Sequence, residues 1–99
     1  SEDELADAAA LADRAGQYLC PQTAAALAGV AKAAKAGTIG ANDRVVLVST
    51  AHGLKFTEFK VRYHEGRLAG AESRRRNVPL ELPASLDEVR RVLDARFGA

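Results

Sequence analysis

Ser49, Thr50, Ala51, His52 and Gly53 form a run of small and polar residues directly after the apolar tetrad Val45-Val46-Leu47-Val48. Open α/β sheets bind ligands in the crevice beyond the carboxyl ends of their strands, so polar groups in this position are candidates for ligand contact. If such a sheet binds anything, Thr50 lies near it; without a ligand, Thr50 is a strand-end threonine that satisfies nearby backbone. An imidazole titrates near neutral pH, so His52 could act as an acid or base. The plainer and preferred reading of His52 is a loop histidine bonded to backbone beside Gly53. Thr23, near a helix start, could help hold a polar ligand group through the helix terminus, although capping its own helix is the preferred role. Gly37-Thr38-Ile39-Gly40 has two glycines, which a helix stop and a turn explain better than a phosphate cradle does.

The elements that would position these residues follow from periodicity and caps. Ser1 and Glu4 have capping-box spacing, and Glu2, Asp3 and Glu4 favour a helix amino end, so Ser1–Ala15 reads as a helix with Leu5, Ala8, Ala9 and Ala12 on one face. Gly16 supplies a left-handed cap. Pro21 presets the backbone for a second helix to about Ala36, which shows Leu27, Val30, Ala31 and Ala34 on one face and stops at Gly37. Ala24, Ala25, Ala26, Ala28 and Gly29 give this helix little bulk, so it can approach a sheet or a pocket closely. Val45–Val48, uninterrupted by charge, has the pattern of a strand buried on both faces of a parallel sheet. Phe56–Tyr63 fits a short helix or a strand equally well. Arg67–Asn77 reads as a solvated linker, and Leu80–Leu82 leads into a helix capped by Ser85 and Glu88. Leu86, Val89, Val92, Leu93 and Phe97 should face the body of the protein. The expected fold is therefore α/β, a parallel strand flanked by helices, with the Pro21 helix packed on Val45–Val48.

Composition narrows the function classes. The chain has 99 residues, 47% of them hydrophobic and 27% charged, values typical of a globular protein with one modest core. Fourteen cations against 13 anions leave a net charge of +1, which gives no overall reason to expect nucleic acid or an acidic membrane. Aromatic residues make up only 5%, too few for a base-stacking platform. Arg74-Arg75-Arg76 is better read as a solvated run than as a nucleic-acid contact. Cys20, the single cysteine, has no partner for a disulfide and no neighbours at metal-ligand spacing. No apolar run approaches the roughly 20 residues that span a bilayer, and the acidic Ser1–Asp7 is unlike a signal peptide. A cytoplasmic or organelle-stromal location is expected.

Two blocks carry a family resemblance. Cys20-Pro21-Gln22-Thr23-Ala24-Ala25 and Ser49-Thr50-Ala51-His52-Gly53-Leu54-Lys55 resemble, in order and separation, the helix start and the strand-end motif of plant-like threonine synthase, a fold-type II pyridoxal-phosphate enzyme. Many relatives carry Glu at the position of Cys20. Leu80–Leu93 is similar to the family's terminal unit, so the resemblance spans nearly the whole chain at uneven strength. It implies a carboxyl-terminal part of the enzyme's large domain. Residues 1–66 would belong to the cofactor-binding catalytic domain, 67–79 to a linker, and 80–99 to a terminal strand-helix unit on the same domain.

The implied activity is a lyase that converts O-phospho-L-homoserine and water into L-threonine and phosphate with pyridoxal 5'-phosphate. By its place in the motif, Thr50 would hydrogen-bond the pyridine nitrogen. Cys20 would line the edge of the ring, although a buried, unreactive small side chain is the preferred reading. Lys55 follows the ring-nitrogen position and is read as an ion-pair partner, not as the lysine that carries the cofactor. That lysine and the glycine-rich phosphate loop are missing, so the segment is expected to contain no catalytic residue, to need the rest of the catalytic chain, and to be inactive alone. The family also suggests a homodimer, and a plastid stroma if the source is a plant. Two other readings stay open: a segment of a related pyridoxal-phosphate threonine or serine dehydratase, and a free-standing α/β binding module without catalytic function.

Overall fold

The computed structural model describes residues 1–98. It contains four α-helices, α1 (Glu2–Arg14), α2 (Pro21–Lys35), α3 (Thr57–Glu65) and α4 (Leu86–Phe97), with a 3-10 turn at Gly53–Phe56 before α3. Helix α1 begins as its sequence dictates. The Ser1 hydroxyl accepts from the Glu4 amide at 3.3 Å, while the Glu4 carboxylate accepts from the Ser1 hydroxyl and from the terminal ammonium. Gly16 and Gly37, both at positive φ, follow the first two helices as the sequence pattern requires.

Helix α1 is the centre of the fold. Its alanines Ala6, Ala8, Ala9, Ala10 and Ala12 are buried, and their small side chains let α2 lie along one flank, while α3 reaches α1 through the side chains of Lys60 and Tyr63. Tyr63 of α3 packs into the α1 surface against Ala6 and Ala10, with Phe59, Leu68 and Ala71 around it. Phe56–Tyr63, which fitted helix or strand by pattern, is helical, and Gly66 ends it in the left-handed conformation at φ +75°.

The α/β expectation is overturned. Among the described residues the only β-type pairing is a single antiparallel bridge between Leu19 and His52, and there is no sheet. Val45–Val48 is extended but unpaired, with Val46 83% and Val48 72% exposed. A buried parallel strand needs neighbours that satisfy its amides and carbonyls and cover both of its faces, and there is no strand among the described residues. Leu47 alone turns inward, lining a cleft of about 400 Å³ with Leu11, Leu19 and Leu27. Helix α2 consequently packs on α1 and not on a strand.

The terminal unit also departs from its expected packing. Ser85 occupies the cap position of α4, but its side chain makes no capping bond, and no residue of α4 is buried. Leu86, Leu93 and Phe97 are 66%, 49% and 76% exposed, so the apolar face expected to meet the body is open.

Between Gly66 and α4 the chain is tied by its backbone amides to side chains of α1 and α3. The Glu72 amide donates to Asp3 at 2.8 Å, and the Arg75 amide donates to the Tyr63 hydroxyl at 3.0 Å. Ser73, buried and at φ +52°, makes the turn between these two anchors. The Arg74 guanidinium meets Asp3 at 3.2 Å, Asp7 at 3.6 Å and Glu72 at 2.8 Å. Arg74 is thus committed to carboxylates of its own chain.

Candidate functional site

The two sequence blocks singled out by type and spacing meet in space. Pro21 starts α2, and Cys20 before it takes the extended backbone of a cap residue, its sulfur accepting from the Thr23 amide at 3.4 Å. Cysteine thus does the work usually given to serine or aspartate. Thr23 is freed from capping its own helix, and its hydroxyl oxygen accepts from the Thr50 amide at 3.2 Å. The Thr23 hydroxyl also lies 3.1 Å from the Cys20 sulfur, and the Thr50 hydroxyl lies 3.5 Å from Thr23 Oγ1 and 3.7 Å from Cys20 Sγ.

A second anchor holds the other end of the motif. The Gly53 amide donates to the Tyr18 carbonyl at 2.8 Å, next to the Leu19–His52 bridge. A Cβ on Gly53 would come within 2.7 Å of Tyr18 Cδ1 and 2.9 Å of the Leu19 carbonyl oxygen. Only glycine allows the two backbones to approach this closely. The four residues Thr50–Gly53 are therefore stretched between the start of α2 and the segment just before it.

The polar groups divide into buried supports and an open face. Cys20 and Thr23 are buried, whereas Thr50 is exposed. His52 Nδ1 accepts from the Leu54 amide at 3.1 Å, which caps the 3-10 turn and matches the backbone-bonded reading of this histidine. The proton of the neutral ring then sits on Nε2. Hydrogen bonds from the Thr23 hydroxyl and amide pull the Cys20 thiol down to about 6, against burial, which raises it. Lys55, expected in an ion pair, has no carboxylate within pairing distance among the described residues and is exposed. Thr23 is the residue whose role sequence reasoning missed. The signal was present in the cysteine three positions ahead, which competes for the same helix-capping bond.

A second polar cluster joins α1 to α3. Lys60 is buried and donates to Asp13 at 2.7 Å, with its ammonium 4.4 Å from the centre of the Tyr18 ring. Tyr63 donates to Asp7 at 2.5 Å, and burial followed by this bond pushes its phenol up to about 12. Because Lys60 also faces Tyr18, this cluster braces the segment that carries Gly53.

No group of three or more His, Cys, Asp and Glu residues among those described is arranged to hold a metal ion. No described helix is long and apolar enough to cross a membrane. No family model matches the chain. The chain is 48% identical over 93 residues to a protein named threonine synthase 2, chloroplastic, from Arabidopsis thaliana. The match covers 94% of this chain and 18% of that protein, so the chain spans less than a fifth of the relative's length. The comparison supports a threonine synthase segment and favours neither the dehydratase nor the free-standing module.

Proposed function

We propose that this chain is the part of a pyridoxal-phosphate-dependent threonine synthase that presents Thr50 to the pyridine nitrogen of the cofactor. The complete protein would convert O-phospho-L-homoserine and water into L-threonine and phosphate. The 48% identity along nearly the whole chain carries this reading, and the structure brings the two sequence blocks together at Thr50.

The donor set suits one edge of the cofactor and no more. Thr50 offers a neutral hydroxyl on an exposed loop whose backbone is fixed from behind, which is the chemistry needed to hold a ring nitrogen without forcing its protonation. The covalently bonding lysine and the phosphate cradle fall to the remainder of the catalytic chain. When bound, pyridoxal phosphate supplies an electron sink for carbanion chemistry. The contribution of this chain would be to orient: Thr50, its amide held by Thr23, would offer its hydroxyl to the ring nitrogen.

The test uses the complete protein with Thr50→Val, which keeps the β-branched shape and deletes the hydroxyl. Loss of a hydrogen bond to a buried partner costs about 1 to 3 kcal/mol. At about 1.4 kcal/mol per decade, turnover should fall by about one to two decades, measured as phosphate released from phosphohomoserine. Full turnover with a normal cofactor absorbance would remove Thr50 from the site. The relative's name places that protein in chloroplasts, and fractionation of the source cell would decide between stroma and cytoplasm here.

A further inference from the structure

We infer that Thr23 is a positioning residue for Thr50, holding it through the backbone amide while leaving its hydroxyl free to turn toward a ligand. This inference rests on the proposed role of Thr50 and extends it to a residue that touches no ligand. Thr23 lies in the first turn of α2 and is 2% exposed. Threonine there ordinarily bonds its own helix end, but the Cys20 sulfur already accepts the Thr23 amide. The Thr23 hydroxyl can therefore spend its single proton on that sulfur at 3.1 Å and turn its lone pairs to Thr50.

The two distances to Thr50 differ in consequence. At 3.2 Å the amide bond lies at the edge of the normal range and fixes the backbone, because Thr50 belongs to no ladder that would do so otherwise. The hydroxyl–hydroxyl contact of 3.5 Å is too long to lock the Thr50 proton. That hydroxyl would exchange this contact and its 3.7 Å approach to the Cys20 sulfur for a ring nitrogen. The bond also closes a loop of 27 residues in the sequence, so the start of α2 sets where Thr50 stands.

The experiment is a double-mutant cycle in the complete protein, using Thr23→Val, Thr50→Val and both together, with Thr23→Ser as the conservative variant. Thr23→Val should lower kcat by about two- to tenfold, the range of one neutral hydrogen bond, with KM for phosphohomoserine nearly unchanged. Serine keeps the hydroxyl and should restore most of that loss. In the Thr50→Val background, Thr23→Val should cost nothing further. Independently of activity, hydrogen exchange on the cofactor-free protein should show faster exchange of the Thr50 amide in Thr23→Val and not in Thr23→Ser. If Thr23→Val proves too unstable to purify, Thr23→Ala enters the same cycle. A slow Thr50→Val beside a silent Thr23→Val would overturn the positioning role alone, as would additive losses, failed rescue by serine, or unchanged amide exchange. A silent Thr50→Val would overturn the Thr50 reading itself and this inference with it.

Discussion

Replacing Lys60 by methionine isolates the one buried charge pair that joins α1 to α3. The Lys60 side chain is 4% exposed and its partner Asp13 15%, so neither ion can return to water without moving a helix. Methionine keeps the length and most of the apolar stem of lysine but removes the ammonium that lies 2.7 Å from Asp13 Oδ1. Asp13 Oδ2 is already buried without a hydrogen-bond partner, so the substitution leaves the carboxylate with only the His64 ring nitrogen, 3.9 Å from Oδ2, beside it. Removing one member of a buried pair typically costs about 3 to 5 kcal/mol. Loss of the contact with the Tyr18 ring adds about 0.5 to 1 kcal/mol, while the residual exposure of Asp13 pulls the total toward about 3. A protein of this length has roughly 5 to 15 kcal/mol of stability, so a loss of about 3 would remove roughly a fifth to three-fifths of it. Lys60→Met with Asp13→Leu replaces the pair by apolar side chains and should be more stable than the single variant. Urea titrations followed by circular dichroism at 222 nm measure both. A Lys60→Met loss below about 1 kcal/mol, or a double variant weaker than the single, would show that the pair is solvated and that the α1–α3 interface rests on Tyr63 instead.

Tyr63→Phe deletes the bond to Asp7 and the acceptor for the Arg75 amide, and should cost about 1 to 3 kcal/mol in the same titration. Because the folded phenol titrates near 12 against an ordinary 10, its contribution is full below pH 10 and is lost as pH rises toward 12. Phenylalanine should flatten that alkaline decline, and thermal midpoints at pH 9, 10 and 11 would reveal it. The Cys20 thiol titrates lower in the folded protein, about 6 against 9. Its contribution is therefore full above pH 9 and lost as pH falls through 6, so stability should climb between those values and Cys20→Ser should remove the climb. Thiolate absorbance near 240 nm, titrated in the native protein, checks the midpoint independently; a midpoint near 9 would contradict it.

Local chemistry was legible where a few neighbouring residues decide the outcome. Ser1 with Glu4, Pro21 at the start of α2, and Gly16 and Gly37 at the helix ends each settle a cap within one turn, and each is found as read. Cys20 is buried as a small hydrophobe should be. The Val45–Val48 tetrad failed for the opposite reason. A continuous run of valine and leucine reports that a segment suits a doubly covered strand, but the covering must come from elsewhere, and no segment among the described residues supplies it. The same dependence explains Leu86, Leu93 and Phe97, whose helical spacing marks one face without saying what meets it. The buried Lys60 was also out of reach, because its partner Asp13 stands 47 residues earlier and no periodicity links the two.

These differences separate what the chain fixes by itself from what it leaves open. Thr50 is exposed and follows directly on the exposed tetrad, so nothing from the strand side orders it. It is nevertheless held from behind, by Thr23 through its amide and, three residues on, by the Gly53 amide on the Tyr18 carbonyl. Tyr18 in turn lies under the Lys60 ammonium, and Lys60 is locked to α1. The line of support thus runs from the α1–α3 interface through Tyr18 to the motif and does not pass through Val45–Val48. A site built in this way owes its geometry to side chains that never contact a ligand. Damage at Lys60 or Gly53 should therefore reach Thr50, read as faster hydrogen exchange of the Thr50 amide, although the bond that holds that amide comes from Thr23.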